Sequence, residues 1–303
     1  MKWTEERKET VETFREWADA EGLSNRDLAA LLDCSPSVVS QMKGQSYQGD
    51  VATFVERMRQ VMRRDQRRDS APVEPEFVKT ETAAEVLNGL VSAHTERTLV
   101  FVVGPTGIGK THAASHYCDN EDAARYLATG EACSPRSLVG ALSDLLDVET
   151  VGRSTWGLRR DVSRSLRGSD QLLVLDEVDY LPEKTYQVVR QIHDSAECGV
   201  VLIGTPACLK RLRESKSDTV AQIMGRVARV VHLGPCPDRD LRAIAAQWDL
   251  DEETVDALVE QSAGQARRLT QILRAAQRGC DLEELDAAAV REAAGELMEP
   301  VSV

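Results

Sequence analysis

This 303-residue chain has no apolar run of membrane-spanning length, no C-x-x-C pair and no cluster of histidines. Lacking a run of about 20 apolar residues, no segment is expected to cross a bilayer as a helix. The seven cysteines (34, 118, 133, 198, 208, 236 and 280) are scattered. They read as small thiols of a reduced, intracellular protein, and neither a disulfide framework nor a metal site is expected. The five histidines are equally dispersed and read as ordinary surface or core residues. The opening MKWTEERKET is too charged for a secretory signal, so a cytoplasmic location is expected. No protease, nuclease or transposase signature is present, and such chemistry would belong to a partner.

Positive charge is also in short supply. Lys and Arg number 37 against 50 Asp and Glu, a net charge of −13, which argues at first against nucleic acid. The distribution softens that, because residues 1–70 hold twelve basic and thirteen acidic side chains and are near neutral. Residues 237–303 hold seven against fifteen and carry most of the surplus. Local patches decide contact with phosphate, while the global sum mostly affects solubility and steering. Length and a 42% apolar content suggest two domains with ordinary cores.

What is present centres on Thr98–Thr111, TLVFVVGPTGIGKT. Leu99 to Val103 are apolar without alternation, as in a strand buried on both faces. Gly104, Pro105, Thr106, Gly107, Ile108, Gly109, Lys110 and Thr111 then fit G-x-x-x-x-G-K-[ST] at every specified place. Glycine lets the chain wrap its amides around a phosphate at short range. Lys110 is placed to reach β- and γ-phosphates, and the Thr111 hydroxyl to bind Mg²⁺. The helix that follows from residue 112 points its N-terminal end at the anion.

A second apolar run, Leu172–Leu175, ends in Asp176-Glu177. A carboxylate at a strand end beside a phosphate loop can hold Mg²⁺, which assigns Asp176. Glu177 is then placed to polarise an attacking water. A third run, VVLIG, ends at Thr205, whose hydroxyl could bind the γ-phosphate or that water. These strands, with a short one near Ala124–Leu127 and helices between, imply a mainly parallel sheet covered on both faces. Helical spacing over 237–303 predicts four short helices.

The N-terminal part reads as helical. Residues 4–21 carry a stripe of Val11, Phe14, Trp17 and Ala18. In LSNRDLAALLDCSPSVVSQMKG, Ser24 or Asn25 caps a helix through Leu32, Asp33-Cys34 turn, and Ser35 caps a second helix with Pro36 first. This resembles the helix-turn-helix of phage repressor-type proteins, with Asp33 where those have a turn glycine. Ser37, Val38, Gln41 and Lys43 would then face outward, where a recognition helix meets a DNA groove. A helix over about 51–66 runs into an arginine-rich end (Arg57, Arg59, Arg63, Arg64, Arg67, Arg68). DSAPVEPE, 69–76, reads as a linker. Further on, Gly152, Arg153 and Trp156 look like an exposed basic loop before a helix with Leu158, Val162 and Leu166 inward.

The phosphate loop, the VLDE strand end, Thr205 and Gly264-Gln265-Ala266-Arg267 together resemble an AAA+ ATPase. The resemblance makes Arg267 a second sensor of the γ-phosphate. It also implies an arginine finger after the Thr205 strand, Arg226 first and Arg229 second, acting on a neighbouring subunit's ATP. The order of parts, including the Tyr47-Gln48-Gly49-Asp50 turn and the EFVKTETAAEV approach to the core, is similar to the phage Mu transposition B family. TniB- and IstB-type ATPases share its core. The resemblance implies an α/β fold: a P-loop AAA+ core with a parallel sheet (77–235) and a C-terminal helical lid (236–303). An all-α helix-turn-helix domain (1–68) and a linker (69–76) would precede them. It implies ATP and Mg²⁺ as cofactors, and largely sequence-independent binding of double-stranded DNA in a bacterial or phage-infected cell. It further implies self-association into ATP-dependent filaments, target selection and stimulation of a transposase. The family's basic loop corresponds to the region of Arg153. Two alternatives stay open: a nucleotide-regulated helix-turn-helix transcription regulator, and an AAA+ ATPase acting on a protein partner.

Overall fold

A computed structural model of the chain describes residues 3–69, 75–130, 133–277 and 285–297, without the side chains of 63–69. Residues 70–74 of the expected linker, Cys280, and the side chains of Arg63, Arg64, Arg67 and Arg68 therefore lie outside the described residues. The chain divides into two compact units, Met1–Val73 and Glu74–Val303.

Among its described residues the first unit is four helices. Thr4 caps α1 (Glu5–Ala20) through the Arg7 amide. Ser24 and Asp27 form a reciprocal capping box at the start of α2 (Asn25–Leu31). Ser35 caps α3 (Pro36–Lys43), with Pro36 in the first turn, where its missing N–H costs nothing. α4 (Val51–Asp69) runs a turn further than its apolar spacing predicts. Between α2 and α3, Asp33 has φ 51°, a left-handed conformation aspartate tolerates better than most residues. Val11, Phe14, Leu28, Val39, Met42 and Met58 are fully buried in the unit's core.

The second unit opens with α5 (Glu81–Glu96), which lies on the strands that follow it. In chain order come β1 (Leu99–Val103), α6 (Lys110–Asn120), β2 (Ala124–Ala128), α7 (Pro135–Leu145), α8 (Thr155–Leu166) and β3 (Leu172–Asp176). They are followed by α9 (Glu183–Ala196), β4 (Gly199–Gly204), α10 (Pro206–Glu214), α11 (Asp218–Met224) and β5 (Val227–His232). Four helices close the described chain: α12 (Asp238–Ala245), α13 (Glu252–Ser262), α14 (Ala266–Ala276) and α15 (Ala287–Glu296). The sheet order is β2-β3-β4-β1-β5, and every pairing is parallel.

Alternation along the strands builds two cores. Val100, Val102, Val174 and Ile203 face α5, α6 and the C-terminal helices. Leu99, Phe101, Val103 and Leu175 face the layer of α7 to α11. Because all strands run the same way, Gly104, Asp176 and Thr205 emerge at one edge of the sheet. That geometry makes the site.

Two expectations are corrected. The sheet has a fifth strand, β5, in the segment that carries the arginine-finger candidates. Its V-A-R-V-V-H sequence pairs with β1 on one side alone, so Arg229 can remain exposed. Trp156 belongs to the first turn of α8 and not to the preceding loop; it is 60% exposed, with the Arg160 guanidinium 5.0 Å from its ring centre.

Gly199, where β4 begins, sits so close to α5 that a Cβ would run into the Ala93 carbonyl. Gly199→Ala is therefore expected to cost about 1–3 kcal/mol, the range for overpacking a filled core, seen as a lower urea midpoint. An unchanged midpoint would show that α5 yields freely.

Candidate functional site

The phosphate-loop candidate closes on itself. A Cβ at Gly104 would come within 2.8 Å of Leu233 Cβ, an atom fixed to the backbone beyond β5, so the turn leaving β1 accepts only glycine without rearrangement. Gly107 and Gly109 have φ of 78° and 94°, conformations open to glycine. No side chain caps α6 at Gly109, leaving its N-terminal amides directed at the loop. Lys110 folds back, and its Nζ donates to the Gly104 and Pro105 carbonyls at 2.8 and 2.6 Å. Its residue exposure is only 9%, and burial pushes the ammonium's pKa below its usual value; the Asp176 and Asp179 carboxylates oppose that. An ammonium drawn out of water and held by two carbonyls is chemically ready for an anion.

Asp176, at the end of β3, is 3% exposed and fully engaged. Its Oδ2 accepts from the Thr111 hydroxyl at 2.6 Å and from the Tyr126 phenol at 3.0 Å. Its Oδ1 accepts the Glu177 amide at 2.7 Å, and its main-chain carbonyl accepts both the amide and the hydroxyl of Thr129. Burial first, then the charge of Asp176, drives the Tyr126 pKa far up, so the phenol stays a donor. Hydroxyl and carboxylate oxygens meeting beside a phosphate loop are the hard donors Mg²⁺ takes, so the residues fit that ion. Glu177 is exposed at the cleft with φ 57°, a strained conformation for a residue with a side chain.

Thr205 caps α10 by accepting the Cys208 amide at 3.2 Å, and its own amide and hydroxyl both donate to Asp179 Oδ1. Across the loop, Arg267 lies in the first turn of α14, and its amide donates to the Gly107 carbonyl at 2.9 Å. These residues line one cleft of about 450 Å³. Its far end is apolar, with Phe77, Val78, Ala83 and Ile244, and Phe77 stacks on His116 at 3.7 Å between ring centres.

The structure thus brings Gly107, Gly109, Lys110, Thr111, Asp176, Glu177, Thr205 and Arg267 to one cleft. Arg226 is elsewhere. It precedes β5, at the sheet edge opposite Gly104, and binds Asp194 at 2.6 Å and the Gln222 carbonyl at 3.1 Å. Arg153 lies 3.6 Å from Asp161, which also draws Arg160 and Arg164 to 3.7 and 3.3 Å. In the first unit Ser37 and Gln41 are exposed and Val38 is half-buried against the core. Lys43 departs from its expected outward direction, turning back to Asp19 at 3.7 Å with its side chain 18% exposed.

Sequence reasoning missed Asp179, Tyr126 and Arg274, the last on the cleft wall two turns beyond Arg267. The D-E-x-D spacing could have flagged Asp179. Nothing in the sequence marks Tyr126, which reaches Asp176 across 50 residues. Among the described residues no group of His, Cys, Asp and Glu forms a separate metal cage, and no helix is long and apolar enough to cross a membrane.

The family model of the AAA domain matches residues 93–212. Mu-like prophage FluMu DNA transposition protein B of Haemophilus influenzae is 26% identical over 259 residues, covering 82% of this chain and 90% of that protein. ATP-dependent target DNA activator B of Escherichia phage Mu and its counterpart from Escherichia phage D108 are each 24% identical over 270 residues, 87% of this chain and 86% of theirs. Among solved structures, Cdc6p of Pyrobaculum aerophilum superposes with a TM-score of 0.61 at 14% identity, over 77% of this chain and 71% of that one. The ORC2 protein of Aeropyrum pernix gives 0.55 at 18%, over 75% and 71%. At such identities the structures share the fold alone, an AAA+ P-loop fold with a parallel sheet.

Tyr126→Phe removes one of the two hydroxyls on Asp176 Oδ2. Its expected cost is about 1–2 kcal/mol, because the acceptor is a buried charge. Urea unfolding measures it, and an unchanged midpoint would mean that Thr111 alone satisfies that oxygen.

Proposed function

We propose that this chain, a homologue of the transposition B proteins of phages Mu and D108, is an ATP-dependent DNA-binding AAA+ ATPase. In this reading it assembles on double-stranded DNA, selects that DNA as a transposition target and activates a transposase. The observation that carries the reading is the span of the likeness. An alignment over 87% of the chain is longer than residues 74–303 and so reaches into the first unit as well as the nucleotide cleft.

Each cleft residue then has a task. Lys110 moves its ammonium from the loop carbonyls to the β- and γ-phosphates, and the loop amides cradle the chain of phosphates. Thr111 and Asp176 hold Mg²⁺, which when bound neutralises charge on the phosphate oxygens. Glu177 orients the attacking water and accepts its proton as the γ-phosphorus bond to the leaving ADP oxygen breaks. Thr205 and Arg267 contact the departing phosphate from opposite walls. The apolar end at Phe77, Val78 and Ile244 suits the base. Arg226, with Arg229 second, serves as the arginine finger of a neighbouring subunit's site, since it lies at the far sheet edge from its own. That requires Arg226 to leave Asp194.

The first unit serves as the helix-turn-helix domain, residues 1–68, with Ser37 and Gln41 on the outward face of α3 and Lys43 available once it releases Asp19. Arg153 adds a phosphate contact from the second unit. The core spans 77–235, and the helices of 236–303 act as its lid.

ATP turnover and particle size, measured with and without random-sequence duplex at two salt concentrations, test this. Assembly that needs both ATP and DNA, with stimulation that weakens as salt rises, is the expected result. Turnover and size indifferent to DNA would overturn the DNA reading and point to a protein substrate. A footprint confined to one sequence would instead favour a transcription regulator. Glu177→Gln is expected to keep ATP binding while lowering kcat at least about a hundredfold, the usual scale for losing a general base. Hydrolysis surviving that change would remove Glu177 from the role.

A further inference from the structure

We propose that Asp179 is the positioning residue through which Thr205 senses the distal phosphate, so that the third carboxylate of Asp176-Glu177-Val178-Asp179 sets where the Thr205 hydroxyl lies. The inference deepens the ATPase reading of the cleft and rests on it.

Hydrogen-bond accounting leads to it. A hydroxyl has one proton to give, and Thr205 gives it to Asp179 Oδ1, which also accepts the Thr205 amide at 3.1 Å. The hydroxyl oxygen meanwhile accepts from Cys208. Thr205 can donate to a phosphate oxygen only by turning its hydroxyl from Asp179 to it, while the amide bond to the same carboxylate keeps the end of β4 in place. The strand end alone therefore does not make Thr205 a free donor; Asp179 decides when it is one.

The fold is shaped around this pair. A Cβ on Gly204 would come within 3.3 Å of Asp179 Oδ2 and 3.2 Å of Val178 Cγ2, so glycine leaves the carboxylate room to lie over the end of β4. The Gly204 carbonyl accepts the Gly104 amide at 3.3 Å, which ties the same strand end to the start of the phosphate loop. The 3-10 turn Val178–Tyr180 that carries Asp179 is pinned by Tyr186, a fully buried phenol donating to the Val178 carbonyl at 2.5 Å. Asp179 also lines the cleft, near enough to Lys110 for its charge to act on that ammonium. A phosphate that draws on the Thr205 hydroxyl relieves Asp179 of that donor, and its departure restores it.

The test is steady-state ATP hydrolysis, with fluorescent ADP binding beside it, on Asp179→Ala, Asp179→Asn, Thr205→Val and the Asp179→Ala/Thr205→Val pair. Asparagine keeps an oxygen that can accept both Thr205 donors. Asp179→Ala and Thr205→Val are each expected to lower kcat about tenfold, the scale of one lost hydrogen bond to a charged group. KM and ADP affinity should stay within about twofold, because the interaction is with the phosphate absent from ADP. The double variant should be no worse than the worse single one, where independent residues would lose about a hundredfold. Asp179→Asn should recover most of the turnover lost in Asp179→Ala. Multiplicative losses, or Asn as impaired as Ala at equal thermal midpoints, would overturn the proposal. Should Asp179→Ala fail to fold, Asp179→Asn against Thr205→Val carries the same comparison. A wild-type protein that binds no nucleotide and hydrolyses no ATP would sink the ATPase reading itself, a different result from variants that match an active wild type.

Discussion

One buried carboxylate organises the site. Asp176 is 3% exposed, so its charge must be met by hydrogen bonds. It meets them with donors from three places: Thr111 on α6, Tyr126 on β2 and the Glu177 amide beyond β3. Removing any one leaves part of a charge unsatisfied in a dry place, which is costlier than losing an equivalent surface bond. The phosphate loop, the edge strand and the end of β3 are thereby held in one arrangement before any ligand arrives. The parallel sheet supplies the coarse placement, and Asp176 supplies the fine one.

The parts of the fold that were legible are those where burial is strong and local. β1, β3 and β4 sit inside the sheet, so both of their faces must be apolar, and Leu99–Val103, Leu172–Leu175 and Val200–Ile203 show it outright. The caps at Ser24 and Ser35 and the left-handed turn at Asp33 are equally local and equally readable. β5 was not, because an edge strand can carry Arg229 and His232 in the open and loses the continuous apolar signature. In the site, the loop and Asp176-Glu177 were visible because contiguous residues do the work. Tyr126, Arg274 and the capture of Lys43 by Asp19 depend on neighbours distant in sequence, which only the fold brings together. Asp179 lies between these cases: its spacing was in view, but its partner Thr205 is 26 residues away.

The charge balance bears on how an acidic protein could hold DNA. Asp161 draws Arg153, Arg160 and Arg164 toward a single carboxylate, leaving a local positive excess beside the exposed Trp156 ring. All three guanidiniums stay partly exposed while held near Asp161, so they have less side-chain entropy to lose than three free arginines. A net charge of −13 does not oppose such a patch at close range, because charges beyond a Debye length of about 8 Å are largely screened at physiological salt. The same global charge does discourage loose, non-selective adhesion to polyanions. Binding by this face would accordingly be strongly salt-dependent and would gain from several subunits acting together.

Three polar groups of the cleft already have protein partners: Lys110 has two carbonyls, Thr111 has Asp176, and Thr205 has Asp179. Ligand binding here is therefore an exchange of acceptors, and each contact contributes only the difference between the old partner and the new. For Lys110 the exchange replaces neutral carbonyls with charged phosphate and is strongly favourable. For Thr205 it replaces one anionic oxygen with another, so the net gain is small and the geometry decides; Thr111 would offer Mg²⁺ its oxygen lone pair and keep its proton on Asp176. On the proposed reading a diphosphate would take most of its affinity through Lys110 and the loop, while the third phosphate would act chiefly by turning the Thr205 hydroxyl from Asp179. Such a cleft would hold ATP and ADP with similar strength yet differ in structure between them, which is what a protein needs if nucleotide state is to be read by its neighbours.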